Sequence, residues 1–108
     1  MLNFVVLLSW NTKQAEASGR DYREDDLWKI VEMPSLPPIG TRLWFSNDPG
    51  DCADAVEVAA VEWWEDRPRW FEVTTNMVVV DETADAFRER MKKAGWRDEA
   101  IEPFYEST

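Results

Sequence analysis

Histidine is absent from this 108-residue chain. Its absence removes the usual general base near neutral pH, the commonest metal ligand, and every Ser–His or Cys–His nucleophile arrangement. There is one cysteine, Cys52, so no internal disulfide can form, which fits a reducing cytosol. Acidic neighbours make its thiolate harder to form and argue against a reactive nucleophile. Four glycines, widely scattered, cannot build a phosphate-cradling loop. The apolar run Phe4 to Leu8 is too short for a membrane span or a signal-peptide core, and no basic segment precedes it. Basic residues are scarce as well, 12 against 22 acidic for a formal net charge of −10, with no Lys or Arg between Arg42 and Arg67. Nucleic-acid backbone and anionic membranes both select for clustered Lys and Arg, so neither is an expected partner.

Carboxylates are the one abundant reactive group. Asp48, Asp51 and Asp54 recur every third residue around Pro49-Gly50, a spacing that fails the EF-hand loop and suits a solvated type II turn. Asp21, Glu24, Asp25 and Asp26 stand beside Arg20 and Arg23 and read as a solvated loop. The expectation is a non-enzymatic cytoplasmic protein without cofactor or metal.

Residues 56 to 80 carry the strongest structural signal. Two β-branched and aromatic arms flank the polar stretch Glu65-Asp66-Arg67-Pro68-Arg69, as in a β-hairpin. Period-two alternation puts Ala59, Val61 and Trp63 on one face, with Phe71, Val73, Thr75, Met77 and Val79 opposite them. The matching register pairs Trp63 with Phe71, Val61 with Val73 and Glu62 with Glu72, and sets Glu65 against Arg69 beside a three-residue loop. Trp64 and Trp70 then face each other on the outer side.

The rest of the chain reads around that hairpin. Residues 2 to 10 form a strand apolar on both faces, hence central. Residues 11 to 26 are a long surface loop with one helical turn near Gln14 to Ala17. Leu27 to Met33 and Thr41 to Phe45 are two further strands. Residues 82 to 95 form a helix with Ala84, Phe87, Met91 and Ala94 on one stripe, capped by Asp81 or Thr83 and ended by Gly95, with Trp96 supplying the hydrophobic contact. A short helix is expected over Arg97 to Glu102, with Phe104 and Tyr105 packing back on the body. With 44% hydrophobic and 13% aromatic residues the chain should fold as one domain over 1–108. The expected class is α+β: a small curved antiparallel sheet or SH3-like partial barrel of about five strands, with one C-terminal amphipathic helix packed on it.

Seven tryptophans and the cation-free stretch between Arg42 and Arg67 point to function. Trp44, Trp64 and Trp70 lie on faces opposite their strands' main apolar residues, and Glu62, Glu65, Asp66 and Glu72 rim them. Exposed tryptophan ringed by carboxylate suits docking of a protein with a basic surface, or a second copy in a homodimer. The alternative is an acidic inhibitor of the kind mobile elements or phages encode, mimicking nucleic-acid charge to block a nucleic-acid-binding enzyme.

Overall fold

The computed structural model describes residues 1–19, 27–45 and 55–107. In chain order these form strands β1 (Leu2–Leu8) and β2 (Trp10–Thr12), helix α1 (Lys13–Ala17), strands β3 (Leu27–Met33), β4 (Arg42–Trp44), β5 (Ala55–Trp63), β6 (Phe71–Thr75) and β7 (Val78–Val80), then helices α2 (Ala84–Lys93) and α3 (Glu102–Glu106). The class is α+β. Five strands in the order β3-β1-β6-β5-β4 make a curled half-barrel sheet, and β2 with β7 makes a small pair beyond it. The expected turn at Asp48 to Asp51, Cys52, Asp54 and the charged residues 20–26 lie outside the described residues.

The sheet is mixed and not antiparallel. β1 runs antiparallel to β3 but parallel to β6, with Val5 opposite Glu72 and Leu7 opposite Thr74. The pairing resumes between β2 and β7, where Trp10 lies opposite Val78, so one extra residue is taken up on the later segment. Ser9 marks the break: its N–H donates to Thr75 Oγ1 at 3.0 Å, and its carbonyl accepts from Val78 N at 2.9 Å. The first strand therefore ends at Leu8, two residues earlier than expected.

The hairpin register matches the sequence reading near the turn, with Trp63 opposite Phe71, Glu62 opposite Glu72 and Val61 opposite Val73. Further along, Val58 pairs with Thr75 and Ala60 with Thr74, which leaves Ala59 as a bulge. An extra residue reverses the side-chain alternation. Val56 and Val58 thereby join Val61 and Val73 on the core side, and Ala59 does not lead that face as expected. The same reversal after β6 buries Val80 and leaves Met77 and Val79 exposed. Trp63, assigned to the core by pattern, is 49% exposed because the hairpin runs on past the core.

β1 is covered on both faces, as its composition requires. Phe4, Val6 and Leu8 enter the main core with Phe87 and Met91 of α2, while Val5 joins a second cluster with Trp28 and Tyr105. The described residues hold a few short helices and no single C-terminal helix over 82–95: that segment gives the ten-residue α2, Ala84–Lys93, and α3 follows it. Thr83 Oγ1 accepts from Ala86 N at 3.2 Å to start α2. Glu82 lies before that cap and holds Arg90 through two bonds of 3.0 and 2.7 Å. At the other end Gly95 takes φ +95, Trp96 N–H bonds Met91 O and Gly95 N–H bonds Lys92 O, a Schellman closure that returns Trp96 to the core beside Met91. Lys29 Nζ donates to Ala94 O at 3.1 Å, above the rings of Phe45 and Trp96. Burial lowers its pKa. The cation still lies where the helix dipole favours it.

Phe87 is 1% exposed and stacks 4.9 Å from Trp10. Phe87→Ala should cost about 3–5 kcal/mol; chemical denaturation checks this, and an unchanged midpoint would remove α2 from the core.

Candidate functional site: the hairpin end and a buried carboxylate

β5 and β6 are joined by two successive turns. Arg67 N–H bonds Trp64 O at 3.0 Å, and Trp70 N–H bonds Arg67 O at 3.2 Å. Pro68 follows the first residue of the second turn, where its fixed φ is preferred. The connection is thus longer than the three-residue loop expected, and Glu65 and Arg69 sit in separate turns without pairing across it. The double turn places the Arg67 guanidinium back over the sheet.

There it meets Glu72. This carboxylate is 8% exposed, on the face of β6 opposite the main core. Its Oε1 accepts Trp64 Nε1–H at 3.0 Å; its Oε2 accepts Arg67 Nη1–H at 3.1 Å and the Tyr105 hydroxyl at 2.5 Å. Arg67 lies 5.3 Å from the Trp64 ring centroid and 4.7 Å from that of Tyr105. A buried carboxylate is tolerable only when paired and hydrogen-bonded, and here the donors come from the hairpin and α3 alike. α3 is positioned by aromatic contact: Phe104 packs 5.2 Å from Trp28 and 5.0 Å from Trp70. The expected short helix over Arg97 to Glu102 is displaced to Glu102–Glu106, with Pro103 in its first turn where no N–H is needed. Arg97 instead makes a two-bond bridge to Trp28.

The seven residues read from sequence as a binding surface are distributed as follows. Glu62, Glu65 and Asp66 are exposed around the hairpin end, and Trp64 is 43% exposed with its N–H committed to Glu72. Glu72, expected on an outer rim, is buried, because α3 covers that face. Trp70 is half-buried against Phe104, so it and Trp64 do not form an open pair. Trp44 is 66% exposed but lies on β4 opposite Ala55, at the far end of β5. Trp63, left out of that set, is exposed and donates Nε1–H to Pro68 O at 3.1 Å. Arg67, Tyr105, Glu102 and Glu106 were also left out. Together with Asp66 they line a cleft of about 400 Å³ between the hairpin end and α3. The four-residue spacing of Glu102 and Glu106 shows that they share a helix face; nothing local to the sequence links them to Asp66.

No three Cys, Asp or Glu side chains among the described residues are grouped to hold a metal ion. Among the same residues no helix is long and apolar enough to cross a membrane. Compared with known protein families, with curated proteins and with solved structures, the chain finds no match.

Burial raises the Tyr105 pKa well above its ordinary 10.0, and the hydrogen bond to Glu72 and the charge of Glu72 add to the effect against an opposing Arg67. The folded state therefore keeps a proton that the unfolded chain releases. Its stabilising contribution is complete below the ordinary tyrosine value and is lost as pH climbs beyond it. Melting temperature should fall above about pH 10 in the wild type and fall less in Tyr105→Phe; identical alkaline profiles would rule out this coupling. At neutral pH Tyr105→Phe should cost about 1.5–3 kcal/mol, the range for a hydrogen bond to a charged group, measured by urea denaturation.

Proposed function

We propose that the protein is a small non-enzymatic binding module that engages a basic partner protein through the end of its β5–β6 hairpin. The observation that carries this is the pair Trp63 and Trp64, 49% and 43% exposed, each with its indole N–H fixed by a hydrogen bond. Rings held in one orientation lose little entropy when a partner covers them, and tryptophan is over-represented among residues that dominate binding energy. Around the pair stand the exposed carboxylates of Glu62, Glu65 and Asp66, with Glu102 and Glu106 across the cleft. Such a rim steers a positive surface toward the rings and sets its orientation. A second copy of a chain with net charge −10 is the weaker occupant.

The alternative, a charge mimic of nucleic acid, differs in how binding responds to salt. A mimic loses affinity steeply as ionic strength rises, whereas rings that bury apolar area retain part of theirs. Combining Glu65→Lys with Asp66→Lys alters only exposed turn positions and should leave stability within about 0.5 kcal/mol. Capture by immobilised wild-type protein, compared with this variant across a salt series, tests the reading. A partner retained by the wild type and lost by the variant, with partial retention in high salt, supports it. Equal retention by both would reject the hairpin end as the binding surface.

A further inference from the structure

Among the described residues, the second face of the sheet is only half covered. α3 and Trp70 lie over β3, β1 and the near part of β6, where Val5, Trp28 and Tyr105 are buried. The register places Thr74 of β6, Ala60 and Glu62 of β5, and Arg42 and Trp44 of β4 on the remaining half, beyond Glu72. Their exposure agrees. Thr74 and Ala60 are half-buried, and Glu62, Arg42 and Trp44 are exposed, as is Glu57 opposite Arg42. β5 runs the length of this strip for nine residues, whose eight steps of about 3.3 Å span about 26 Å.

Resting on the binding-module reading above, we propose that this strip is the docking surface for an extended lysine- or arginine-rich segment of the partner, running from Glu57 to the hairpin end. Three features select that occupant. The small side chains of Ala60 and Thr74 let another backbone approach the sheet closely. Tryptophans mark both ends, Trp44 at 66% exposure and Trp64 at 43%, and the stems of long cationic side chains pack well on such rings while their charged heads reach carboxylates. Carboxylates outnumber cations: Glu57 and Glu62 on the strip and Glu65 and Asp66 at its end, against Arg42 opposite Glu57 and Arg69 in the turn. Glu57 is held in place by Asn76 Nδ2, which donates to its Oε2 at 2.7 Å beside a cleft of about 330 Å³ lined also by Arg42 and Met77.

The test uses the full chain and a fluorescent oligoarginine peptide, with an oligoglutamate peptide as the opposite-charge control, read by anisotropy at low and moderate salt. The strip variant combines Glu57→Lys with Glu62→Lys, the hairpin-end variant Glu65→Lys with Asp66→Lys, and a remote variant Glu16→Lys with Glu89→Lys; all three change net charge equally. Trp44→Ser is a fourth, and thermal melting confirms that each is folded. The expected result is at least a tenfold loss for the strip variant and a several-fold loss for Trp44→Ser, with the remote variant close to wild type. If only the hairpin-end variant weakens binding, the strip is overturned and the hairpin-end reading survives. A remote variant that weakens binding as much as the strip variant means diffuse attraction and overturns the strip. Wild-type affinity in both the strip and hairpin-end variants overturns both readings.

Discussion

β1 carries large apolar side chains on both faces, and leaving either face in water would forfeit the burial of several Val, Leu and Phe side chains at roughly 1.5–3 kcal/mol each. Two covers are therefore needed, and the chain supplies them by different means. On the concave side the sheet curls, the bulge at Ala59 turns Val56 and Val58 inward, and α2 closes over them with Phe87 and Met91. On the other side, among the described residues, the cover is α3, five residues long, which adds Phe104 and Tyr105 to Trp28 and Trp70. So short a helix cannot shade the whole face. Among the described residues its shortness leaves β5 and β4 open on this face, and the proposed docking strip lies there.

Glu72 sits at the border between the covered and open halves. Its carboxylate is reached by Trp64 and Arg67 from the hairpin turn and by Tyr105 from α3, so one side chain ties together two segments that also meet through Trp70 and Phe104. Swapping such a cluster for well-packed apolar groups can be neutral, but removing one member strands the rest in a dry site. What the cluster provides is position. It sets the tilt of the Trp64 ring and the place of Arg67, and it determines where the exposed carboxylates of the turn stand relative to those of α3.

The parts of this arrangement legible in the sequence were the local ones. Alternation and turn chemistry were enough to read Glu62 opposite Glu72 and Val61 opposite Val73, and the Gly95-Trp96 pair identified the end of α2. Two apolar faces on residues 4 to 8 marked β1 as central. Ala59, a small residue flanked by another alanine, gave no sign of the bulge that reverses the parity of β5. The parallel pairing of β1 with β6 has no local signature, since neither strand names its partner. Glu72 was misplaced for the same reason: a carboxylate at an alternating position reads as solvent-facing unless the donors that bury it are known, and Tyr105 lies 33 residues away.

The junction at Ser9 also bears on the order in which the fold assembles. Its N–H and the Thr75 hydroxyl that receives it are 66 residues apart, and the parallel pairing of β1 with β6 spans a similar distance. The β5–β6 hairpin closes across two tight turns and gains contacts almost at once. Joining β1 to β6 must close a long loop before any ladder bond rewards it, and loops of that length make assembly slow. Until they meet, β6 presents an unpaired edge, and Val73 and Glu72 lack the neighbours that bury them. An unpaired strand edge of this kind is a template for wrong pairing between chains, and a net charge of −10 opposes such encounters.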